Sequence, residues 1–275
     1  MIKWSPNEGF NAAAISLDDH GVTVGDGIFE SMRVTAFGVF ALTRHIARLN
    51  HAANLIGIEL PPKTAMTSAI AEVVGKLHGA GVTDARLRLT ITSGLGPAGV
   101  MRGANINWFI TAAPISIATS PAKLHTSRII RNEYSLISSI KTLSYLENVI
   151  ALNDAVAAGF DEALILNTKG EVVESATCNL LFEINDELVT PPLSAGALRG
   201  ITRELLIEKF AVNEQVITKN ELAQVSGAAL LSSVRGVQHI SHIDQRSLAG
   251  SLEIAKLAEK YQDLLNSPLE YQTLI

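Results

Sequence analysis

The sequence contains one cysteine, Cys178, among its 275 residues. A single cysteine cannot form a disulfide within the chain, so a disulfide-stapled fold is excluded and a reducing compartment is favoured. The first ten residues, MIKWSPNEGF, lack the apolar core of a signal peptide. No later stretch approaches the ~20 apolar residues of a membrane helix. We therefore expect a soluble, cytoplasmic protein without a membrane partner.

The sequence also lacks a block of basic residues. Its formal net charge is −5 and its pI is about 5.8, which makes nucleic acid an improbable partner. Hydrophobic residues make up 47% of the chain and the mean hydropathy is +0.25. This composition predicts a substantial buried core, enough for two modest domains or one large one.

One stretch, from Ile140 to Cys178, combines residue types that suit pyridoxal chemistry. It reads IKTLSYLENVIALNDAVAAGFDEALILNTKGEVVESATC and holds Lys141, Tyr145 and Glu174. A lysine can bond to the aldehyde of the cofactor, and a glutamate can hold its pyridine nitrogen protonated. The pattern predicts a helix over 145–158, with Leu146, Val149, Ile150 and Ala157 on its packed face, and then a hairpin whose return strand ends at Glu174.

The N-terminal part reads as a mixed α/β domain over 1–113, followed by a proline-containing linker over 114–122. Its pattern predicts a hairpin turning at Gly38, a helix with Thr43 as N-cap, and a second helix after Pro61-Pro62. The alternation over 86–92 predicts a strand with Arg86 and Arg88 on one face. Two arginines so placed could bind a substrate carboxylate or merely face water, and both readings stay open.

The C-terminal part, 123–275, shows strand patterns and two further helix patterns. One helix is predicted to begin just after Gly200, where unpaired backbone N–H groups can bind phosphate. Many helices begin in this way without a ligand, so the motif alone decides nothing. A buried strand over 228–233 ends in two hydroxyl side chains, Ser232 and Ser233.

Three motifs in this order and spacing resemble the fold type IV, or class IV, pyridoxal-phosphate enzymes: KTLSYLEN, GFDEALILNTKGEVVESATCNLLF and LRGITR. That family includes branched-chain aminotransferases, D-amino acid aminotransferases and aminodeoxychorismate lyases. The resemblance covers nearly the whole chain. It implies an α+β fold with a small N-terminal α/β domain and a larger, barrel-like C-terminal α/β domain. It also implies pyridoxal 5'-phosphate as cofactor, a small amine or amino acid as substrate, and a homodimer.

The resemblance also implies roles for particular residues. Lys141 would be the Schiff-base lysine and proton carrier, Glu174 would face the pyridine nitrogen, and Tyr145 would bind the phenolic oxygen. The phosphate would be bound by Arg48, Gly200, Ile201, Thr202, Ser232 and Ser233. Taken singly, each residue has an ordinary structural reading; their joint occurrence in one order favours the functional reading.

The choice of subfamily depends on the N-terminal motif GDGIFESMRV, which is close to the GDGxFETxRV of aminodeoxychorismate lyases. Val24 stands where branched-chain aminotransferases usually have tyrosine. Ala98 and Val100 stand where D-amino acid aminotransferases have arginine and histidine. The same loop reads AGV at 98–100, where aminodeoxychorismate lyases often have an RGY-like motif, so no subfamily matches at every position. The favoured reading is a lyase that converts 4-amino-4-deoxychorismate to 4-aminobenzoate and pyruvate, with Phe29, Arg88 and Arg86 binding substrate. The alternatives are an aminotransferase of branched-chain, D- or other amino acids, and a non-catalytic protein that retains the fold.

Overall fold

The computed structural model describes residues 1–11 and 14–271, without the side chain of residue 269. The chain forms two compact units. The first contains Met1–Ser116, Lys141–Tyr145 and the described part of Leu265–Ile275; the second contains Ile117–Ile140 and Leu146–Leu264. The predicted domain limits, with a linker over 114–122, stay a prediction.

The first unit is built on a five-stranded antiparallel sheet with the strand order β1-β5-β4-β2-β3. Its strands are β1 Ile2–Trp4, β2 Gly27–Thr35, β3 Gly38–Val39, β4 Ala85–Thr92 and β5 Asn107–Pro114. Its helices are α1 His20–Thr23, α2 Leu42–Ile56 and α3 Lys63–Gly79. The predicted hairpin is confirmed, but its turn lies at 36–37 and Gly38 is the first residue of β3. The helix predicted after Pro61-Pro62 is confirmed.

Apolar and polar residues alternate along β4, and this alternation determines which face of the sheet is buried. Leu87, Leu89 and Ile91 are fully buried on one face, while Arg86 is exposed and Arg88 is half-buried on the other. Burial of one face fixes the register, since a shift by one residue would turn the leucines to solvent. The predicted strand and its paired arginines are therefore confirmed.

The prediction that Thr43 caps α2 is wrong. The helix begins at Leu42, and Ala41 precedes it in the left-handed region with φ 51°. Backbone bonds fix this turn: Phe40 N–H donates to Arg33 O at 2.9 Å, and Ala41 N–H donates to Glu270 O at 3.0 Å. Long-range contacts therefore set the helix start in place of a side-chain cap.

The second unit contains a nine-stranded mixed sheet with the order β11-β10-β9-β12-β13-β6-β7-β8, and β14 pairs with β13. Its strands are β6 Ala122–Arg131, β7 Glu162–Asn167, β8 Val172–Ser175, β9 Asn179–Ile184, β10 Glu187–Thr190, β11 Asn213–Glu214, β12 Val225–Ser232, β13 Gly236–Ile243 and β14 Arg246–Ser247. The helices are α4 Leu146–Ala157, α5 Ile201–Lys209 and α6 Leu252–Leu265, with 3-10 turns at Leu193–Ala195, Glu221–Gln224 and Pro268–Glu270.

The core of the second unit lies against β6, β7, β9 and β12. Strands β7 and β9 are buried along their whole length, which explains why their sequences read as continuous apolar runs. The core residues include Leu124, Leu164, Leu180, Phe182 and Leu230. A small sheet and a larger sheet with flanking helices are the mixed architecture that the resemblance implies, so the predicted fold class is confirmed.

The packed face predicted for α4 is wrong. Leu146 and Val149 are 69% and 46% exposed, and the helix buries Asn148, Ala151 and Ala155. The alanines allow close packing against β6 and β7, and the Asn148 amide donates to Ala176 O at 2.7 Å. Hydrophobic periodicity missed this face because small and polar residues form it.

Two features are absent from the part of the chain that the structure describes. None of its helices is long and apolar enough to cross a membrane. Its His, Cys, Asp and Glu side chains form no group of three or more that could hold a metal ion.

Candidate active site

The segment that carries Lys141 is fastened to β2 by backbone bonds. Phe29 N–H donates to Lys141 O at 2.9 Å, and Leu143 N–H donates to Gly27 O at 2.8 Å. The Thr142 hydroxyl also donates to Gly27 O, at 3.2 Å. A Cβ on Gly27 would lie 2.6 Å from a Leu143 side-chain carbon. The glycine therefore permits close approach of the Lys141 segment.

Aromatic rings surround the Lys141 amine. Its Nζ lies 4.6 Å from the centroid of the Phe29 ring and 5.5 Å from that of Tyr145. The two rings meet edge to face, with centroids 5.6 Å apart and an interplanar angle of 80°. The amine is thus half-buried beside apolar surface and a phenol, a setting in which a lysine can act as a nucleophile and proton carrier.

Arg88 lies against the same phenylalanine. Its Cζ is 3.5 Å from the Phe29 ring centroid, and its Nε donates to the Thr90 hydroxyl at 3.3 Å. Burial, followed by the neighbouring Arg86, lowers the pKa of Arg88 to about 10, so it stays cationic at neutral pH. The structure therefore brings together Lys141, Tyr145 and the predicted substrate residues Phe29 and Arg88.

Arg48 lies in a buried ion pair that sequence reasoning missed. Its Nε and Nη2 donate to the two oxygens of Glu30 at 2.8 and 2.6 Å. His45 Nδ1 lies 2.7 Å from the same carboxylate. Burial alone would raise the pKa of Glu30, but Arg48 and His45 outweigh it and hold that pKa at about 2. Burial lowers the pKa of His45, which keeps the imidazole neutral at pH 7.

The signal for this cluster was present but dispersed. Glu30 lies on β2 in the FES motif, while His45 and Arg48 lie three residues apart on α2 and so share a helix face. A carboxylate inside an apolar strand needs a partner. The sequence does not show which of several basic residues supplies it.

In the second unit, Glu174 is buried near the end of β8. Its Oε2 accepts a hydrogen bond from Asn179 Nδ2 at 3.1 Å and one from Leu198 N–H at 3.1 Å. Arg131 Nη2 lies 3.8 Å from its other oxygen. These donors favour the ionised carboxylate, which is the form that stabilises a protonated pyridine nitrogen.

Helix α5 begins next to this carboxylate. Gly200 is its N-cap in an extended conformation and has no side chain that could form a capping hydrogen bond. A Cβ on Gly200 would lie 1.8 Å from Asn179 Oδ1, so only glycine fits there. The Thr202 hydroxyl lies 2.9 Å from the Tyr261 hydroxyl. The uncapped N–H groups at Ile201 and Thr202 fit the phosphate-binding role that was predicted.

The predicted serines lie where β12 ends. Ser232 Oγ accepts a hydrogen bond from Arg235 N–H at 3.1 Å, which closes the turn into β13. Ser233 is buried. Cys178 is also buried, and burial raises the pKa of its thiol, so it is a packing residue and not a reactive one.

The family of the protein follows from its match to a family model. Residues 27–243 match the model described as "Amino-transferase class IV", which spans most of the chain. The chain belongs to the class IV amino-transferase family. A putative branched-chain-amino-acid aminotransferase of Methanocaldococcus jannaschii is 31% identical over 266 residues, 92% of this chain and 91% of that one. The D-alanine aminotransferase of Bacillus licheniformis is 28% identical over 269 residues, 94% and 93% of the two chains.

The solved structures that resemble this chain include one named as an aminotransferase and one named as a lyase. The branched-chain aminotransferase of Thermoproteus uzoniensis superposes with a TM-score of 0.87 at 27% identity, covering 97% of this chain and 95% of that one. A putative 4-amino-4-deoxychorismate lyase of Legionella pneumophila gives 0.84 at 25% identity, covering 94% and 96%.

The family also establishes the cofactor. A hypothetical aminotransferase of Mycobacterium tuberculosis, solved in a pyridoxal-phosphate-bound form, shares the fold with a TM-score of 0.86 at 21% identity, covering 98% of this chain and 99% of that one. Membership of the class IV amino-transferase family makes the chain a pyridoxal-phosphate-dependent enzyme, as the sequence predicted. The alternative of a non-catalytic protein that retains the fold is not supported.

Proposed function

We propose that this enzyme is a lyase that converts 4-amino-4-deoxychorismate to 4-aminobenzoate and pyruvate. The observation that carries the proposal is the arginine pair on one face of β4. Arg88 lies against the Phe29 ring, whose centroid is also 4.6 Å from Lys141 Nζ, and Arg86 lies on the same face of β4 as Arg88. The proposed substrate bears two carboxylates, so each arginine could pair with one of them. An amino acid with a single carboxylate would use only one of the two arginines. The motif GDGIFESMRV supports the same choice.

The residues present fit the cofactor. Lys141 supplies the amine that bonds to its aldehyde, and Tyr145 supplies a hydroxyl for its phenolic oxygen. Glu174, which accepts hydrogen bonds from Asn179 Nδ2 and Leu198 N–H, would hold the pyridine nitrogen in its protonated form. The phosphate is assigned to Arg48, the N-terminus of α5 at Gly200–Thr202, and the turn with Ser232 and Ser233.

Each residue has a defined task in the proposed reaction. Bound pyridoxal phosphate supplies an electron sink for the substrate carbon that carries the amine. Lys141 Nζ takes the proton from that carbon, and Arg88 holds a substrate carboxylate so that the carbon faces the amine. The bond between the ring and the enol oxygen breaks, the oxygen leaves with the bonding electrons, and the ring becomes aromatic. The released enolate takes up one proton at its methylene carbon, which balances the proton that Lys141 accepted, and becomes pyruvate. All substrate atoms are recovered in the two products.

The second candidate is an aminotransferase. Its support is the naming of the two relatives at 31% and 28% identity, which are called aminotransferases for branched-chain amino acids and for D-alanine. The first proton transfer by Lys141 is common to both reactions. They differ in the fate of the substrate, which leaves as a 2-oxo acid in transamination.

A paired assay separates the candidates. Purified enzyme is given 4-amino-4-deoxychorismate, and release of pyruvate and 4-aminobenzoate is measured. A parallel reaction measures exchange between L- or D-amino acids and 2-oxo acids. The lyase proposal predicts equal amounts of the two products and slow exchange; fast exchange without pyruvate would refute it.

Arg88→Met should raise KM for the proposed substrate at least tenfold, with Arg86→Met having a smaller effect. The homodimer and the cytoplasmic location stay predictions.

A further inference from the structure

We propose that Asn179 is a positioning residue that ties Glu174 to the start of α5. The inference rests on the proposed roles of Glu174 and Gly200–Thr202 towards the cofactor, and it does not depend on which substrate the enzyme uses. Asn179 would then position two groups at once: the Glu174 carboxylate, which would contact the pyridine nitrogen, and the start of α5, which would contact the phosphate.

The first part of the argument is the placement of the Asn179 amide. Asn179 is the first residue of β9 and is buried. Its Nδ2 donates to Glu174 Oε2 at 3.1 Å and to Leu198 O at 2.9 Å. One NH₂ group therefore bridges the carboxylate and the backbone two residues before the helix N-cap.

The second part is that the network closes on itself. Leu198 N–H donates to the same Glu174 oxygen at 3.1 Å. Gly200 N–H donates to Leu198 O at 2.8 Å. The Oδ1 of Asn179 occupies the space that a Gly200 side chain would need, 1.8 Å from an ideal Cβ. The amide thus contacts Glu174, Leu198 and Gly200, which fixes the backbone that enters α5.

The third part is the chemistry that the position requires. An aspartate would set a second carboxylate against Glu174, where like charges repel. An alanine would remove one hydrogen bond from Glu174 Oε2 and one from Leu198 O, leaving each acceptor with the backbone N–H that also binds it. Only a side chain with two N–H donors on one nitrogen and the length of asparagine satisfies both acceptors.

The chain offers a matched control in Asn167. It is buried at the end of β7, and its Nδ2 donates to Glu171 Oε2 at 2.7 Å and to Ala195 O at 3.3 Å. Asn167 therefore makes the same kind of bridge, from a glutamate to a loop carbonyl, in the same unit. Its carboxylate partner is Glu171 and not Glu174.

The test compares Asn179→Ala with Asn167→Ala in full-length protein freed of cofactor. Absorbance titration gives Kd for pyridoxal 5'-phosphate and for pyridoxal, which lacks the phosphate. We expect Asn179→Ala to weaken pyridoxal binding about tenfold, the effect of one lost hydrogen bond to a charged group. The ratio of the Kd for pyridoxal to the Kd for pyridoxal 5'-phosphate, which measures what the phosphate adds to binding, should also fall by a factor of about three or more. Asn167→Ala should leave both affinities within twofold while lowering the unfolding temperature.

A second readout is the pH at which the absorbance of the bound cofactor changes. Asn179→Asp should move that midpoint upward by about half a pH unit or more, because an added negative charge near the cofactor favours the cofactor's protonated form. Asn179→Ser provides a second variant should Asn179→Ala fail to fold by circular dichroism. The proposal is overturned if a folded Asn179 variant keeps both affinities, or loses pyridoxal affinity alone. Absence of lyase activity in wild-type protein that binds cofactor would count against the proposed function only.

Discussion

Replacing Glu30 by glutamine tests the buried cluster of Glu30, Arg48 and His45. The substitution keeps the shape of the side chain and removes the charge that Arg48 Nε and Nη2 contact at 2.8 and 2.6 Å. Glu30 and Arg48 are 1% and 8% exposed, so water cannot replace the lost carboxylate. In the variant, the buried guanidinium of Arg48 faces a neutral amide in place of the carboxylate.

The magnitude follows from the pKa of Glu30, which falls from 4.5 to about 2 on folding. At 1.36 kcal/mol per pKa unit, this shift corresponds to roughly 3 kcal/mol of stability at neutral pH. The folded-state pKa is depressed, so the contribution is complete above pH 4.5 and is lost as pH falls towards 2. A loss of ~3 kcal/mol corresponds to a decrease of about 6–12 °C in Tm for a protein of this size.

The assay is urea and thermal unfolding of wild type and Glu30→Gln between pH 7 and pH 3. Asp84→Asn serves as the control, because Asp84 binds Arg33 through two bonds of 2.9 Å but its side chain is 41% exposed. We expect a loss of under about 1 kcal/mol for the control. Equal stability of Glu30→Gln and wild type at pH 7, or a difference that grows as pH falls, would refute the reasoning.

Two further substitutions test the site and its surroundings. Gly200→Ala should weaken pyridoxal 5'-phosphate binding at least tenfold, because its Cβ would displace Asn179 Oδ1; Gly75→Ala on α3, where a Cβ meets nothing within 4 Å, should not weaken it. Burial raises the pKa of Glu162, so stability should fall as pH rises above 4.5 through that raised value. Glu162→Gln should therefore be more stable than wild type at pH 8, and unfolding curves that give the opposite order would contradict this assignment.

The parts of the fold that could be predicted are those with a local signal. The alternation over 86–92 predicted β4, and the hairpin predicted before Glu174 is the one that β7 and β8 form. The start of α5 could be predicted because a glycine precedes an uninterrupted helical run. In each case the neighbours in sequence carry the information.

The parts that could not be predicted depend on contacts distant in sequence. Glu30 reaches Arg48 across 18 residues, and Asn179 bridges Glu174 to Leu198, which lies 19 residues on. The α2 start was misplaced because Glu270 fixes Ala41 from the other end of the chain. A sequence motif can identify Lys141 or Glu174 as candidates. The residues that position them can be identified only when the pairing of the strands is known.

The measurement that tests the central claim most directly is borohydride reduction of the cofactor-loaded enzyme followed by peptide mapping. Reduction converts a lysine–cofactor linkage to a stable secondary amine. We predict one modified peptide, with the pyridoxyl group on Lys141, and loss of the cofactor's visible absorbance. A label on another lysine, or a protein that binds added pyridoxal phosphate without any reducible linkage, would contradict the account.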